Sequence, residues 1–175
     1  IPQVIKKEKR FKIKKDLKKI LASLIKKIKL PNTTFVHRDF HISNLMIKRN
    51  KISVIDSQDA AYGNIAYDLA SLIDDVRLKT NIKIKDFIFH EFLKKNKNLD
   101  HKKFKNDFDI LSVLRNFKII GIFTRLSMRD NKNKYLKLIP YAWKLIELRT
   151  SKNPIFKDLN YLLVKNFDKK KRKLI

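Results

Sequence analysis

Within Val36-His-Arg-Asp-Phe-His-Ile-Ser-Asn-Leu-Met46, a His-Arg-Asp triplet is followed, five positions after Asp39, by Asn44. Phosphoryl transfer from a metal-bound nucleotide needs two things that this spacing can supply. A carboxylate must orient the acceptor hydroxyl and receive its proton, which suits Asp39. Oxygen ligands must hold the metal that neutralises the phosphates, which suits the Asn44 amide. Ile52-Ser-Val-Ile-Asp56 then reads as a strand that delivers a second carboxylate, placed to meet the metal opposite the amide. Hard oxygens of this kind suit Mg²⁺. With four His, 14 Asp and 14 Asn in 175 residues, H-x-D-x4-N arises by chance ~0.03 times per chain.

Blander readings exist for the same residues. Asp39 and Asn44 are common turn residues. His37 and His41, four apart, would chelate Zn²⁺ on a helix, but no H-E-x-x-H glutamate accompanies them and the run before Asp39 reads as strand. His37 is read instead as a hydrogen-bonding residue of the loop. Asp68 falls in the first turn of a helix whose Leu69, Leu72 and Ile73 face inward. Its carboxylate is read as a brace for the Asp39 loop, and a carboxylate favoured by the helix dipole stays open as the alternative.

Composition narrows the field further. The chain has two glycines, Gly63 and Gly121, so neither a G-x-G-x-x-G turn nor a G-x-x-x-x-G-K-[ST] phosphate loop can be written in it. No cysteine is present, which removes disulfides, thiolate metal sites and Cys nucleophiles. The formal charge is +26, from 43 Lys and Arg against 17 Asp and Glu. That excess would suit nucleic acid or an anionic membrane surface. It is mostly Lys rather than the bidentate Arg of specific recognition, and it is uneven. Residues 1–30 carry +10 and residues 81–175 carry +16, while residues 31–80 balance six cations with six acids. The neutral block holds the motif.

The elements that must position these residues follow from periodicity. Leu17, Ile20, Leu21, Leu24, Ile25 and Ile28 make an apolar stripe on a basic helix over 14–29, stopped by Pro31. Three short strands are predicted at 34–37, 45–48 and 52–55, the last two joined across Arg49-Asn50-Lys51. Helices are predicted over 66–78, 84–95, 108–128, 135–149 and 155–166. The fold class is α+β, mostly α. The expected organisation is an amphipathic helix over 1–30, a catalytic and metal-binding block over 31–80, a helical substrate subdomain over 81–168 and a basic tail over 169–175. No 18-residue apolar run is present, so no membrane span is expected.

His37-Arg-Asp39 with Asn44, Ile55-Asp56, Ala61-Tyr-Gly63 and Tyr67-Asp-Leu-Ala70 resemble the carboxy-terminal lobe of the aminoglycoside phosphotransferase and choline kinase-like superfamily. Protein kinases share the His-Arg-Asp loop, but Asp56-Ser-Gln stands in place of Asp-Phe-Gly and no Ala-Pro-Glu follows. Gln58-Asp-Ala, Tyr67-Asp-Leu-x-Ser-Leu-x-x-Asp75, Gly121-Ile-Phe-x-Arg-Leu, Arg129-Asp-x-Lys and Ile139-Pro-x-x-Trp143 are similar to bacterial anomeric N-acetylmuramate/N-acetylglucosamine kinases of cell-wall recycling. The resemblance implies a protein-kinase-like carboxy-terminal lobe, ATP and Mg²⁺ as cofactors, an amino sugar as acceptor and a cytoplasmic setting. It implies that Asp39 is the catalytic base, that Asn44 and Asp56 are metal ligands, and that His37, Arg38 and Asp68 support the loop. It places Gln58 and Asp59 as substrate or metal contacts. Aminoglycoside or choline phosphotransfer is the runner-up, and a non-catalytic basic module binding nucleic acid or a membrane surface is the second. Such kinases also have an amino-terminal lobe with a phosphate-holding Lys. Nothing before residue 31 matches it, so the chain is expected to be a carboxy-terminal fragment.

Overall fold

A computed structural model describes residues 7–167 and Arg172. The element order is α1 (Lys7–Ile25), β1 (Thr34–Val36), a 3₁₀ turn (Ile42–Asn44), β2 (Leu45–Lys48), β3 (Lys51–Val54), β4 (Ala61–Gly63), α2 (Ala66–Ile73) and α3 (Ile82–Lys95). There follow α4 (His101–Asp130), a 3₁₀ turn (Asn133–Leu138), α5 (Ile139–Thr150), a 3₁₀ turn (Pro154–Phe156) and α6 (Lys157–Asn166). Helices dominate and the strands are short, an α+β arrangement. No helix among the described residues is long and apolar enough to cross a membrane. Apart from Arg172, the basic tail lies outside the described residues.

The chain divides into two compact units, one of residues 28–112 and the other of residues 1–27 and 113–175, with α4 contributing to both. The first carries the motif. Its strands form two antiparallel pairs, β1 with β4 and β2 with β3. The β2–β3 register, Leu45 opposite Val54 and Lys48 opposite Lys51, is closed by Arg49 and Asn50 at φ 48° and 59°. Two left-handed residues in succession match the right-handed twist of a two-residue hairpin. Beneath the strands, Ala66, Leu69, Ala70 and Ile73 of α2 bury against Leu93 of α3 and Phe104, Phe108 and Leu111 of α4. Phe89 meets Phe108 edge-on at 5.0 Å and Phe92 stacks on Phe104 at 5.2 Å, geometries that aromatic quadrupoles favour.

Buried polar groups tie this unit together. The fully buried Asp107 carboxylate accepts the Lys29 and Leu30 amides and the Asn64 side-chain NH₂, each at 2.8 Å. It therefore anchors on α4 both the segment entering β1 and the residue that starts α2, whose Ala66 amide donates to Asn64 Oδ1 at 2.9 Å. Lys85, 3% exposed, donates to Asp74 Oδ1 at 3.1 Å and to the Ile73 carbonyl, while Ser112 donates to Asp74 Oδ2 at 2.5 Å. A buried ion pair survives only when its remaining hydrogen-bonding positions are filled in this way.

In the second unit α1 packs on α6, and Ile13 and Leu24 of α1 are buried, as are Ile139, Leu145, Ile146, Phe156, Leu159 and Leu163. Trp143 meets Phe117 edge-on at 5.7 Å and Phe167 at 5.8 Å.

The structure departs from the expected elements in several places, among them residues 135–138 and 155–156, which form 3₁₀ turns ahead of α5 and α6 rather than their first residues. A fourth strand, β4, was not predicted. It is three residues long, too short for period-2 alternation to register, and exists because it pairs with β1. Helix α2 stops at Ile73 rather than 78, because Asp74 and Asp75 leave helical backbone to serve tertiary bonds. Helix α4 begins at His101 rather than 108, where Asp100 caps it by accepting the Lys103 amide at 2.9 Å. Helix α1 runs from Lys7 to Ile25 rather than over 14–29.

Gly63 is held to its size by β1: a Cβ there would lie 2.5 Å from Val36 Cγ2. Gly63→Ala is expected to destabilise the protein by ~1–3 kcal/mol, read from urea denaturation. Lys85→Ala leaves the buried Asp74 carboxylate without its cation and is expected to cost ~3–5 kcal/mol; a loss below ~1 kcal/mol would show that the pair adds little.

Candidate active site

The loop after β1 turns through an unusual backbone state. Arg38 has φ 70°, a left-handed conformation that costs a non-glycine L-residue roughly 1–2 kcal/mol. It is held there by α2. The Asp68 carboxylate accepts the His37 amide at 2.6 Å and the Arg38 amide at 3.0 Å, and the Arg38 side chain reaches across to the Asp59 carbonyl at 3.2 Å. Two charge-assisted bonds to adjacent amides make a stiff clamp.

The other end of the loop has its own clamp. Asp75, 1% exposed, accepts the Ile42 amide at 3.2 Å through Oδ2 and the Arg77 amide and guanidinium through Oδ1 at 3.1 and 3.2 Å. Asp68 and Asp75 thus grip residues 37–38 and 42 on either side of Asp39. Between them, Asn44 Nδ2 donates to the Asp39 carbonyl at 2.9 Å. The backbone around Asp39 is bonded on three sides, while no hydrogen bond or ion pair reaches its own half-exposed carboxylate among the described residues.

The hairpin brings the remaining groups close in register. Leu45 pairs with Val54, and the Ile55 amide donates to the Asn44 carbonyl at 3.0 Å, so Asn44 and Ile55 are neighbours and Asp56 follows directly. Asp56 has φ 67°, the second left-handed residue of the site. His37 is buried, with Nε2 3.0 Å from the Ile55 carbonyl. A carbonyl only accepts, so Nε2 carries the hydrogen, and His37 becomes a strut between the loop and the strand leading to Asp56. The segment 37–41 is not helical, so the paired-histidine zinc geometry does not form.

Gln58 and Asp59 lie exposed in the turn closed by the Ala60 amide on the Ser57 carbonyl. Among the described residues, Asp59 is bonded to the loop through its backbone carbonyl alone. No group of three His, Cys, Asp or Glu side chains among the described residues could hold a metal. Asn44 uses its Nδ2 on Asp39, which leaves its Oδ1 available, and the Asp56 carboxylate is engaged by no other described residue. One amide oxygen and one carboxylate fit Mg²⁺, which binds through one or two protein oxygens and completes its shell with water and phosphate.

Asp75 stands in the sequence next to Asp74, set apart only as the last residue of the Tyr67-Asp-Leu-x-Ser-Leu-x-x-Asp75 motif. Its grip on the Ile42 amide shows only once the loop is seen to lie beside it.

Comparison with known proteins fits this arrangement. The chain is 37% identical over 112 residues, 61% of its length, to the N-acetylmuramate/N-acetylglucosamine kinase of Neisseria meningitidis serogroup B. It is 31% identical over 121 residues to the kinase of that name from Caulobacter vibrioides and 29% identical over 152 residues to that of Pseudomonas aeruginosa. It spans 34%, 33% and 45% of those three proteins. Residues 5–92, which contain α1, both strand pairs, the clamped loop and α2, match the phosphotransferase enzyme family (APH), and the chain belongs to that family.

Proposed function

We propose that this chain carries the catalytic loop of an ATP- and Mg²⁺-dependent small-molecule kinase that phosphorylates a sugar hydroxyl. The single observation that carries the reading is the Asp39 carboxylate, bonded by no described residue on a loop whose His37, Arg38 and Ile42 amides and Asp39 carbonyl are tied down. A base used for proton transfer must be both available and fixed, because misplacement by about 1 Å costs about 100-fold in rate.

In this reading Asp39 accepts the proton of the acceptor hydroxyl as its oxygen bonds to the transferred phosphorus. Asn44 Oδ1 and Asp56 would hold the Mg²⁺, which supplies charge neutralisation for the phosphates. His37, Arg38, Asp68 and Asp75 act through backbone position and touch no substrate. Gln58 and Asp59, exposed in the adjoining turn, are assigned as contacts to the substrate or to the hydrated metal.

The acceptor is assigned as an amino sugar of the N-acetylmuramate or N-acetylglucosamine kind, the chemistry that the names of the similar kinases state. Charge supports it. Residues 81–175 carry +16, which suits a neutral or anionic sugar and disfavours a cationic aminoglycoside or choline.

In the whole protein, Asp39→Asn is expected to lower kcat for phosphorylation of N-acetylmuramate by about 10²–10⁴-fold with little change in KM for ATP; equal rates would remove Asp39 from the chemistry. Asp75→Ala is expected to lower kcat about 100-fold and to speed hydrogen exchange at the Ile42 amide while His37 and Arg38 stay protected. A uniform loss of protection would show a folding defect instead.

A further inference from the structure

We infer that the unit of residues 1–27 and 113–175 contains a binding site for a small amphiphilic anion, an apolar chain or ring system bearing one carboxylate or phosphate. A cleft of about 870 Å³ opens within this unit, walled by Leu17 and Leu21 of α1, by Phe117, Gly121 and Met128 of α4 and by Trp143 of α5. Its volume falls in the range of small-molecule sites. A buried core would leave no such space, since side chains interdigitate until voids are smaller than a water molecule.

Charge decides the class of ligand. Lys118, Arg125 and Arg129 line the same cleft, and no acidic residue does. Spaced seven and four apart, they run along one face of α4. Arg129 is held by Asp130 through bonds of 2.7 and 3.0 Å, and its guanidinium, ahead of Lys132 and Arg125, keeps the Asp130 carboxyl below the usual carboxylate range. Lys118 and Arg125 make no hydrogen bond or ion pair with the described residues. Two cations whose hydrogen-bond donors meet no acceptor among the described residues, beside an apolar hollow, complement an anionic head on an apolar body, the head satisfied by the fork of Arg125.

Gly121 gives an independent reason. It lies inside α4, where glycine weakens a helix relative to alanine. No positive φ requires it, and a Cβ built on it meets nothing within 4 Å. Neither backbone nor packing explains a glycine here. Its position one turn from Phe117 and one from Arg125 places the missing side chain in the cleft, so its effect is to leave that space open. Trp143 adds a polar signal: it is 5% exposed, its Nε1 has no acceptor among the described residues, and the Arg172 guanidinium lies 5.3 Å from its ring centre.

Trp143 is the only tryptophan in the chain, so its fluorescence reports on the cleft. Titration with dodecyl phosphate and, separately, dodecanoate below their micelle concentrations should give a saturable one-to-one change. The tighter of the two identifies the head group. Arg125→Ala should weaken binding by about 10–100-fold. Gly121→Leu should abolish it while leaving the thermal melting temperature unchanged or higher, since leucine is the better helix former. Dodecyltrimethylammonium should not bind, and Asp39→Asn should bind normally, which keeps this result separate from the catalytic reading. The inference is overturned by no saturable response, by equal binding of the cationic amphiphile, or by Gly121→Leu or Arg125→Ala proteins that fold and bind like the parent.

Discussion

The Asp68 carboxylate is the hinge on which the site depends. By accepting two successive amides, it offsets the conformational cost of Arg38 at positive φ. An amide pair aimed at one carboxylate recovers more than that cost, since hydrogen bonds to charged groups contribute roughly 1.5–3 kcal/mol each. The turn it fixes sends the chain away from β1 with Asp39 at its outer edge. Everything downstream, from the 3₁₀ turn to the hairpin, starts from that direction.

A single clamp would leave the loop free to swing about residues 37 and 38. Asp75 removes that freedom by taking the Ile42 amide, and Asn44 closes the span with its bond to the Asp39 carbonyl. Both carboxylates come from α2 and the residues just past it, and α2 is set in turn by the core of α3 and α4 and by Asn64 on Asp107. Position is thus passed from a hydrophobic core through buried carboxylates to backbone amides. The Asp39 carboxylate takes no part in this scaffolding, and no described residue bonds its oxygens. On the proposed reading, placement is delegated to groups that do no chemistry, a division that preorganised sites require.

Much of this was legible in the residues themselves. The spacing of Asp39, Asn44 and Asp56, the hairpin across Arg49 and Asn50, and the helical nature of nearly everything after Ala66 all rest on short-range rules: turn chemistry, alternation and the 3.6-residue period. Residues 31–80, neutral in a chain of charge +26, also marked the block where carboxylates are needed. Element ends were less legible. Helix α2 is cut short by Asp74 and Asp75, whose partners lie on α3, on α4 and in the loop. Strand β4 has no pattern of its own and forms only because β1 is beside it.

The sequence by itself determined which residue types stand near one another along the chain, and therefore the chemistry they can do. Only the tertiary structure decided which of six carboxylates in the 31–80 block are free and which are spent on holding backbone. Asp39, Asp56 and Asp59 have carboxylates that no described residue bonds, Asp68 and Asp75 grip amides, and Asp74 answers a buried Lys85 that reads in the sequence as one more surface lysine. The reason is physical. Local rules act over a few residues through covalent geometry, whereas the partner of a buried carboxylate is fixed by which distant amides and cations the packed core brings to it.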